Sequence, residues 1–62
     1  MTIYQFWGGT AAKDGKFLFE QGCADDDAAF AFAVQYRNDL GNLAPEIIDV
    51  VKNGELLGWV HD

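Results

Sequence analysis

The sequence predicts an α+β fold in which an antiparallel sheet of three to four strands, in the order ββαββ, carries one α-helix on one face. Two observations predict it. Both ends of the chain hold short β-branched and aromatic segments separated by glycine-containing turns, whereas the middle repeats its apolar residues every three or four positions. With 62 residues the chain has room for one domain, residues 1–62, built around one hydrophobic core.

The first two strands are predicted on either side of a turn at Asp14–Gly15. Thr2–Gly8 is rich in β-branched and aromatic residues, which favour strands. Glycine accepts a positive φ angle without a Cβ clash, so Asp-Gly is typical of a hairpin turn. Lys16–Gln21 then returns as the second strand, and strict alternation puts Phe17 and Phe19 together on one face.

The helix is predicted to begin at three consecutive aspartates and to end at Leu40, before Gly41. An aspartate caps unpaired backbone N–H groups, and its charge suits the positive end of the helix dipole. Glycine supplies the positive φ angle of a helix C-cap. Phe30 and Val34 widen the apolar stripe. The expected core stripe itself consists of Ala29, Phe32, Ala33, Tyr36 and Leu40.

The second hairpin is predicted at Asn53–Gly54, a pair that favours a two-residue type I′ turn. Counting outward from this turn pairs Lys52 with Glu55 and ends with Ile47 opposite Val60. One face then carries Ile48, Val50, Leu57 and Trp59, and the other carries Ile47, Val51, Leu56 and Val60 around Asp49.

Both faces of this hairpin are apolar, and one helix can cover only one of them. The other face is expected to be covered by residues 8–15 and the chain ends, or to contact another molecule. Contiguous exposed apolar area on a small protein is typical of an interaction surface. A homodimer formed through the outer sheet face is one form of this expectation.

The charge distribution narrows the classes of partner. The formal net charge is −6, and nine of the ten acidic residues lie in residues 20–62, together with only two of the four basic residues. Nucleic acids and anionic membranes require clustered Lys and Arg, so direct binding to either is not expected. An acidic protein favours a basic partner. The N-terminus lacks the basic region of a signal peptide, and a cytoplasmic protein is expected.

No catalytic or cofactor motif stands out. The chain has no serine, and Cys23 with His61 is its one thiol–imidazole pair. Cys23 is interpreted as a small buried apolar residue, and His61 lies at the fraying chain end. The aspartates 25–27 are consecutive, so they point in different directions and are poorly suited to converge on a metal ion. We therefore expect no enzyme, cofactor or metal, with a small thiol enzyme or metal protein as the alternative.

The expected function is binding of another macromolecule. The acidic residues expected to contact the partner lie on the helix and on the second hairpin, and two tryptophans are candidate anchors, because buried Trp residues often dominate the energy of an interface. The predicted partner-binding residues are Asp25, Asp26, Asp27, Asp39, Asp49, Glu55, Trp7 and Trp59.

The chain resembles the small anti-CRISPR proteins of phages and mobile elements. The resemblance is one of size, charge and layout over the whole chain, and it is carried by the acids of the helix together with Glu46, Asp49 and Glu55 on the hairpin. It implies a non-catalytic inhibitor that blocks target-DNA recognition by a CRISPR–Cas effector through nucleic-acid mimicry. Such effectors hold phosphates with Lys and Arg, for which carboxylates can compete.

Residues 14–34 are also similar to the core of HicB-type antitoxins. Asp14–Gly15, a short aromatic strand, Gly22–Cys23 and an acid-capped helix carry this similarity, although Phe19–Gln21 lacks the proline that commonly precedes Gly-Cys in that family. It implies neutralisation of a basic toxin. A small oligomerising structural module is the remaining alternative.

Overall fold

The computed structural model describes residues 1–10 and 15–61, and it confirms the predicted fold class. The described strands form one antiparallel sheet in the order β2-β1-β3-β4. The predicted turn at Asp14–Gly15 includes Asp14, which lies outside the described residues. The elements are β1 (Thr2–Gly9), β2 (Lys16–Cys23), α1 (Asp26–Leu40), a short 3-10 helix (Gly41–Leu43), β3 (Ile47–Lys52) and β4 (Glu55–His61).

The core lies between α1 and the two central strands. Tyr4 and Phe6 of β1 and Ile48 and Val50 of β3 are fully buried. From the helix, the fully buried residues are the alanines 29 and 33, whose small side chains allow α1 to approach the sheet closely. Burying a large aliphatic or aromatic side chain contributes about 1.5–3 kcal/mol. These central residues therefore carry much of the hydrophobic stabilisation.

An aromatic cluster extends the core towards β2. The ring of Phe19 stacks on that of Phe6 with a centroid distance of 4.8 Å, and it lies 5.6 Å from Phe32 and 4.6 Å from Tyr36. Phe32 and Tyr36 thus pack on the core, as the helical spacing predicts. Val34 is 46% exposed and lies outside the buried stripe.

Both ends of α1 form as the sequence predicts. The backbone N–H of Ala28 donates a hydrogen bond to Asp25 Oδ1 at 2.8 Å, so Asp25 is the N-cap. At the other end Gly41 has a φ angle of 58° and its N–H donates to the carbonyl of Arg37. A side chain at this position would be strained, which explains the glycine.

A β-bulge in the second hairpin changes the predicted register. Lys52 lies opposite Glu55 and Val51 opposite Leu56, as predicted, but beyond this point Asp49 lies opposite Trp59. Leu57 is the additional residue on β4. The register predicted beyond Val51 is therefore wrong by one residue.

This shift exchanges the faces of two side chains. Trp59, predicted on the same face as Ile48 and Val50, lies on the face opposite α1. Val60, predicted beside Val51, pairs with Ile48 and packs against the core. A side chain in place of Gly58 would meet the ring of Phe30, because an added Cβ would lie 3.0 Å from its Cζ. The glycine thus allows Phe30 to pack against β4.

A second bulge lies between β1 and β2. Phe6 pairs with Phe19, but Trp7 pairs with Phe17, so Leu18 is the additional residue. Phe17 and Phe19 consequently lie on opposite faces of the sheet, and the prediction that they share a face is wrong. Phe19 enters the core, whereas the ring of Phe17 meets that of Trp7 edge-on with a centroid distance of 5.5 Å.

We expect Gly8→Ala to lower the free energy of unfolding by about 1–3 kcal/mol, as other overpacking substitutions do. A Cβ at Gly8 would lie 2.5 Å from Cγ of the rigid Pro45 ring and 3.1 Å from Leu18 Cδ1. Urea denaturation followed by circular dichroism measures the change.

The matched control is Gly22→Ala. Its nearest neighbour, at 3.0 Å, is the sulfur of Met1, the end of a flexible and exposed side chain that can move aside. We expect a change of no more than about 0.5 kcal/mol. Equal stabilities of the two variants would contradict the packing of Pro45 against β1.

Candidate docking face

The side of the sheet opposite α1, here called the outer face, is largely apolar. No helix in the described ranges packs on it. Ile3 is 55% exposed, and Phe17 and Trp59 are each 47% exposed. The strand register assigns to this face Ile3, Gln5, Trp7, Phe17, Glu20, Ile47, Asp49, Val51, Leu56 and Trp59.

One row of residues crosses the outer face over all four strands. Phe17 of β2 lies opposite Trp7 of β1, Trp7 lies opposite Asp49 of β3, and Asp49 lies opposite Trp59 of β4. Three of these four residues are aromatic. The two bulges bring Phe17 and Trp59, at the two ends of the row, to the outer face. The predicted contact residues include Trp7, Asp49 and Trp59 but not Phe17, whose position on the outer face depends on the bulge at Leu18.

Within this row, the accessibility of the side chains differs. Trp59 is exposed enough to anchor a partner. Asp49, in contrast, is only 4% exposed, so it does not display its carboxyl group as a contact residue must. Trp7 is half-buried, and its Nε1 is buried without a hydrogen-bond acceptor in residues 1–10 and 15–61. A buried donor of this kind costs about 1–3 kcal/mol.

The other predicted acidic contact residues do not form one surface. Asp25 caps α1, and Asp27 is exposed in its first turn. Asp39 is exposed in the last turns, where Gln35 Nε2 donates to its Oδ1 at 2.8 Å. A rise of 1.5 Å per residue puts it about 20 Å from the helix start. Glu55 is exposed beside the turn of the second hairpin.

Asp26 belongs to a polar cluster that sequence reasoning misses. Tyr4 Oη donates a hydrogen bond to Asp26 Oδ1 at 2.6 Å, and Lys52 Nζ lies 3.1 Å from the same oxygen. Lys52 Nζ also lies 5.9 Å from the centroid of the Tyr4 ring. The cluster joins α1, β1 and β3, which are distant in sequence, and no local motif marks it.

The cluster changes the pKa values of two of its members. The hydrogen bonds from Tyr4 and Lys52 lower the pKa of Asp26. The hydrogen bond to Asp26, aided by burial and by nearby negative charges, raises the pKa of Tyr4 from 10.0 to about 12. Asp26 is thus held in place by the fold, and its availability to a partner is reduced.

Cys23 and His61 do not come together. Cys23 ends the edge strand β2, and His61 ends the opposite edge strand β4. Three strand spacings separate them by about 14 Å, and they lie at opposite ends of the sheet. Burial raises the pKa of the Cys23 thiol and so reduces the fraction of reactive thiolate. Within residues 1–10 and 15–61, no three His, Cys, Asp or Glu residues are grouped as metal ligands.

Within residues 1–10 and 15–61, the protein is a small α+β fold with one sheet face covered by α1 and the other largely uncovered. Comparisons with protein-family models, with curated proteins and with solved structures found no match. The helix of the described residues is neither long nor apolar enough to cross a membrane.

We expect the Tyr4→Phe substitution to lower the free energy of unfolding at pH values below about 10 and this effect to disappear at higher pH. The pKa of Tyr4 is raised in the folded state, so its bond to Asp26 contributes fully below the unfolded pKa of 10.0. This contribution disappears as the pH rises from about 10 towards 12. Urea denaturation at several pH values should show the wild-type advantage over Tyr4→Phe shrinking over this range.

Tyr36→Phe is the matched control because it leaves the bond between Tyr4 and Asp26 intact. It should show the same alkaline loss of stability as the wild type. A wild-type advantage over Tyr4→Phe that stays constant from pH 8 to pH 12 would contradict the role given to the Tyr4 hydroxyl group.

Proposed function

We propose that this protein is a non-catalytic inhibitor that docks on a positively charged partner protein through the outer face. The single observation that carries the proposal is the apolar outer face, which no helix of the described residues covers and on which Ile3, Phe17 and Trp59 are about half exposed. Apolar patches with aromatic residues are characteristic of interaction sites, and buried tryptophans often dominate the binding energy.

The net charge supports a basic partner. At −6 the protein attracts cationic surfaces and repels nucleic acids and anionic membranes. The acids lie at both ends of α1 and beside the turn of the second hairpin, rather than in one array. Dispersed acids suit long-range attraction of a basic partner, with contact made by the outer face. They suit the mimicry of individual phosphates less well.

A CRISPR–Cas effector subunit is the first partner to test. The resemblance in size, charge and layout to anti-CRISPR proteins motivates this choice, and such effectors carry the Lys and Arg residues that an acidic protein attracts. The test is cleavage of target DNA by purified effectors of several types, with and without this protein. The toxin of a HicB-type pair is the second basic partner for the same binding assay.

Self-association is the second candidate function, because the same outer face could pack against a second copy. Light scattering at increasing protein concentration distinguishes the two candidates. A dimer that Val51→Lys dissociates would favour self-association, since Val51 lies on the outer face. A monomer at all concentrations would favour docking on a different protein.

We expect Trp59→Ala to weaken partner binding by about 30-fold or more, the effect of losing an interface residue worth about 2 kcal/mol. Phe17→Ala should weaken binding in the same direction. The affinities can be measured by biolayer interferometry with the partner identified in the cleavage assay.

The matched control is Val34→Ala on the helix. Val34 is 46% exposed, close to the 47% of Trp59 and Phe17, but it lies outside the outer face. Binding by this variant should match the wild type. If Val34→Ala weakens binding as much as Trp59→Ala, the docking surface is not the outer face.

Charge reversal should act on the rate of association. We expect Asp27→Lys to slow binding at about 0.1 M salt, because complementary charge accelerates encounter, and to leave dissociation nearly unchanged. The difference should disappear at about 1 M salt, where the screening length falls from about 10 Å to 3 Å. Stopped-flow mixing measures both rates.

Asp39→Lys serves as the comparison, since it makes the same change at the other end of α1. Equal slowing by the two variants indicates attraction by the charge of the whole protein. Greater slowing by Asp27→Lys puts the start of the helix nearer the interface. Unchanged association in both variants at low salt would contradict electrostatic attraction of the partner.

A further inference from the structure

Strand β2 forms one edge of the sheet, and within the described residues no strand pairs with its free side. Alternate residues of an edge strand direct their backbone N–H and C=O groups away from the sheet. In residues 1–10 and 15–61, the backbone hydrogen bonds outside the helices and the sheet do not involve β2. Its edge groups are a template for an extended segment, which can pair with every second residue.

The edge of β2 suits an added strand better than the edge of β4 does. The bulge at Leu18 lies near the start of β2 and leaves residues 19–23 in regular register with β1. On β4 the bulge at Leu57 lies nearer the middle, and regular register with β3 resumes only over residues 58–61. A bulge bends and twists a strand, which protects an edge from pairing.

Beside the regular stretch of β2, the outer face has a notch at Gly22. This glycine lies opposite Ile3, and Ile3 Cδ1 is 3.6 Å from the position that a Cβ would take on Gly22. The side chain of Ile3 is about half exposed. A residue added beside Gly22 on this face can therefore reach Ile3 across the glycine, and it gains free energy by burial if it is apolar.

Two further positions of β2 define the added residues. Glu20 is exposed on the outer face and forms no ion pair within the described part of the chain. An opposite charge directly across two strands stabilises their pairing, so a basic residue fits beside Glu20. Phe19 lies on the other face, where its ring and that of Tyr36 are only partly buried. An apolar residue therefore fits beside Phe19.

We propose that the edge of β2 receives an extended segment of the basic partner as a fifth, antiparallel strand. The inference rests on the proposed function and adds main-chain pairing to docking on the outer face. The residue opposite Gly22 is apolar, the residue opposite Glu20 is Lys or Arg, and the residue opposite Phe19 is apolar. Because the added strand runs in the opposite direction, its sequence reads apolar, any residue, basic, apolar.

A second copy of the chain fits this edge less well. Two antiparallel β2 strands can pair Glu20 with Lys16 of the other copy, but this register brings the bulges at Leu18 together at the centre of the new ladder. Each copy also carries a charge of −6, so the two molecules repel one another.

The test is an NMR titration of the ¹⁵N-labelled protein with the N-acetylated, C-amidated peptide Thr-Val-Thr-Arg-Val-Thr. We expect saturable shifts of the backbone N–H groups of residues 19–23 and unchanged signals from residues 58–61. Two control peptides carry one N-methyl group, either on the central threonine or on the arginine. These neighbouring N–H groups point to opposite sides of a strand, so one control should bind and the other should not.

Variants of the protein test the side-chain preferences. Ile3→Ala should weaken peptide binding about three- to tenfold through lost apolar burial. Leu43→Ala is the matched control, since Leu43 is an exposed aliphatic residue outside the sheet, and it should bind as the wild type does. Glu20→Lys should reverse the charge preference, so that a peptide with glutamate in place of arginine binds more tightly than the original.

Equal binding of the two N-methylated peptides, shifts confined to β4 or the absence of saturable shifts would overturn the inference. Shifts of residues 19–23 that grow with protein concentration alone would assign the edge to a second copy. If Trp59→Ala abolishes partner binding while the peptide leaves β2 unshifted, docking on the outer face stands and strand addition does not. If the peptide binds β2 while Trp59→Ala has no effect on the partner, strand addition stands and the docking proposal does not.

Discussion

The structure depends on one constraint: a single helix covers one face of a four-stranded sheet. Helix α1 has 15 residues and is therefore about 22 Å long. Ala29 and Ala33 bring it close to the central strands, and Phe32 and Tyr36 extend its contact to the ring of Phe19. Within the described residues, no second helix covers the other side of the sheet. Among the described residues, the apolar side chains assigned to the outer face therefore pack against their strand neighbours or remain exposed.

The two bulges decide which aromatic side chains lie on the outer face. Leu18 and Leu57 are the additional residues, and each changes the face of the residues beyond it. In a regular register, Phe17 would join Phe19 beneath the helix, and Trp59 would lie beside Val50. Two more aromatic rings would then compete for a core that Tyr4 and Phe6 already fill, and overpacking of this kind destabilises a fold. The bulges thus reconcile a highly aromatic sequence with a small core, and the exposure of Phe17 and Trp59 on the outer face is the result.

Local signals in the sequence predict the elements of this fold but not their register. The cap at Asp25, the glycine at the end of α1 and the turn at Asn53–Gly54 each act within a few residues, and all three form as predicted. A register counted outward from a turn assumes strict alternation, so one additional residue reverses every later assignment. Gly58 is a sequence signal for this irregularity, because a glycine inside a strand often marks a bulge. The burial of Asp49 and the Tyr4–Asp26–Lys52 cluster depend on contacts distant in sequence, which no local pattern reveals.

An exposed apolar face and a large negative charge act in opposite directions on self-association. Apolar contact favours pairing of two copies, whereas two molecules that each carry −6 repel one another. The same charge accelerates encounter with a basic protein, and apolar contact then slows dissociation of the complex. Charge and apolar contact act over different distances. Charge acts over about a Debye length of 8 Å at physiological salt, whereas apolar burial acts only on contact. In the proposed docking, a face of this composition discriminates between partners mainly before contact, by the sign of their charge, and holds the selected partner by aromatic burial.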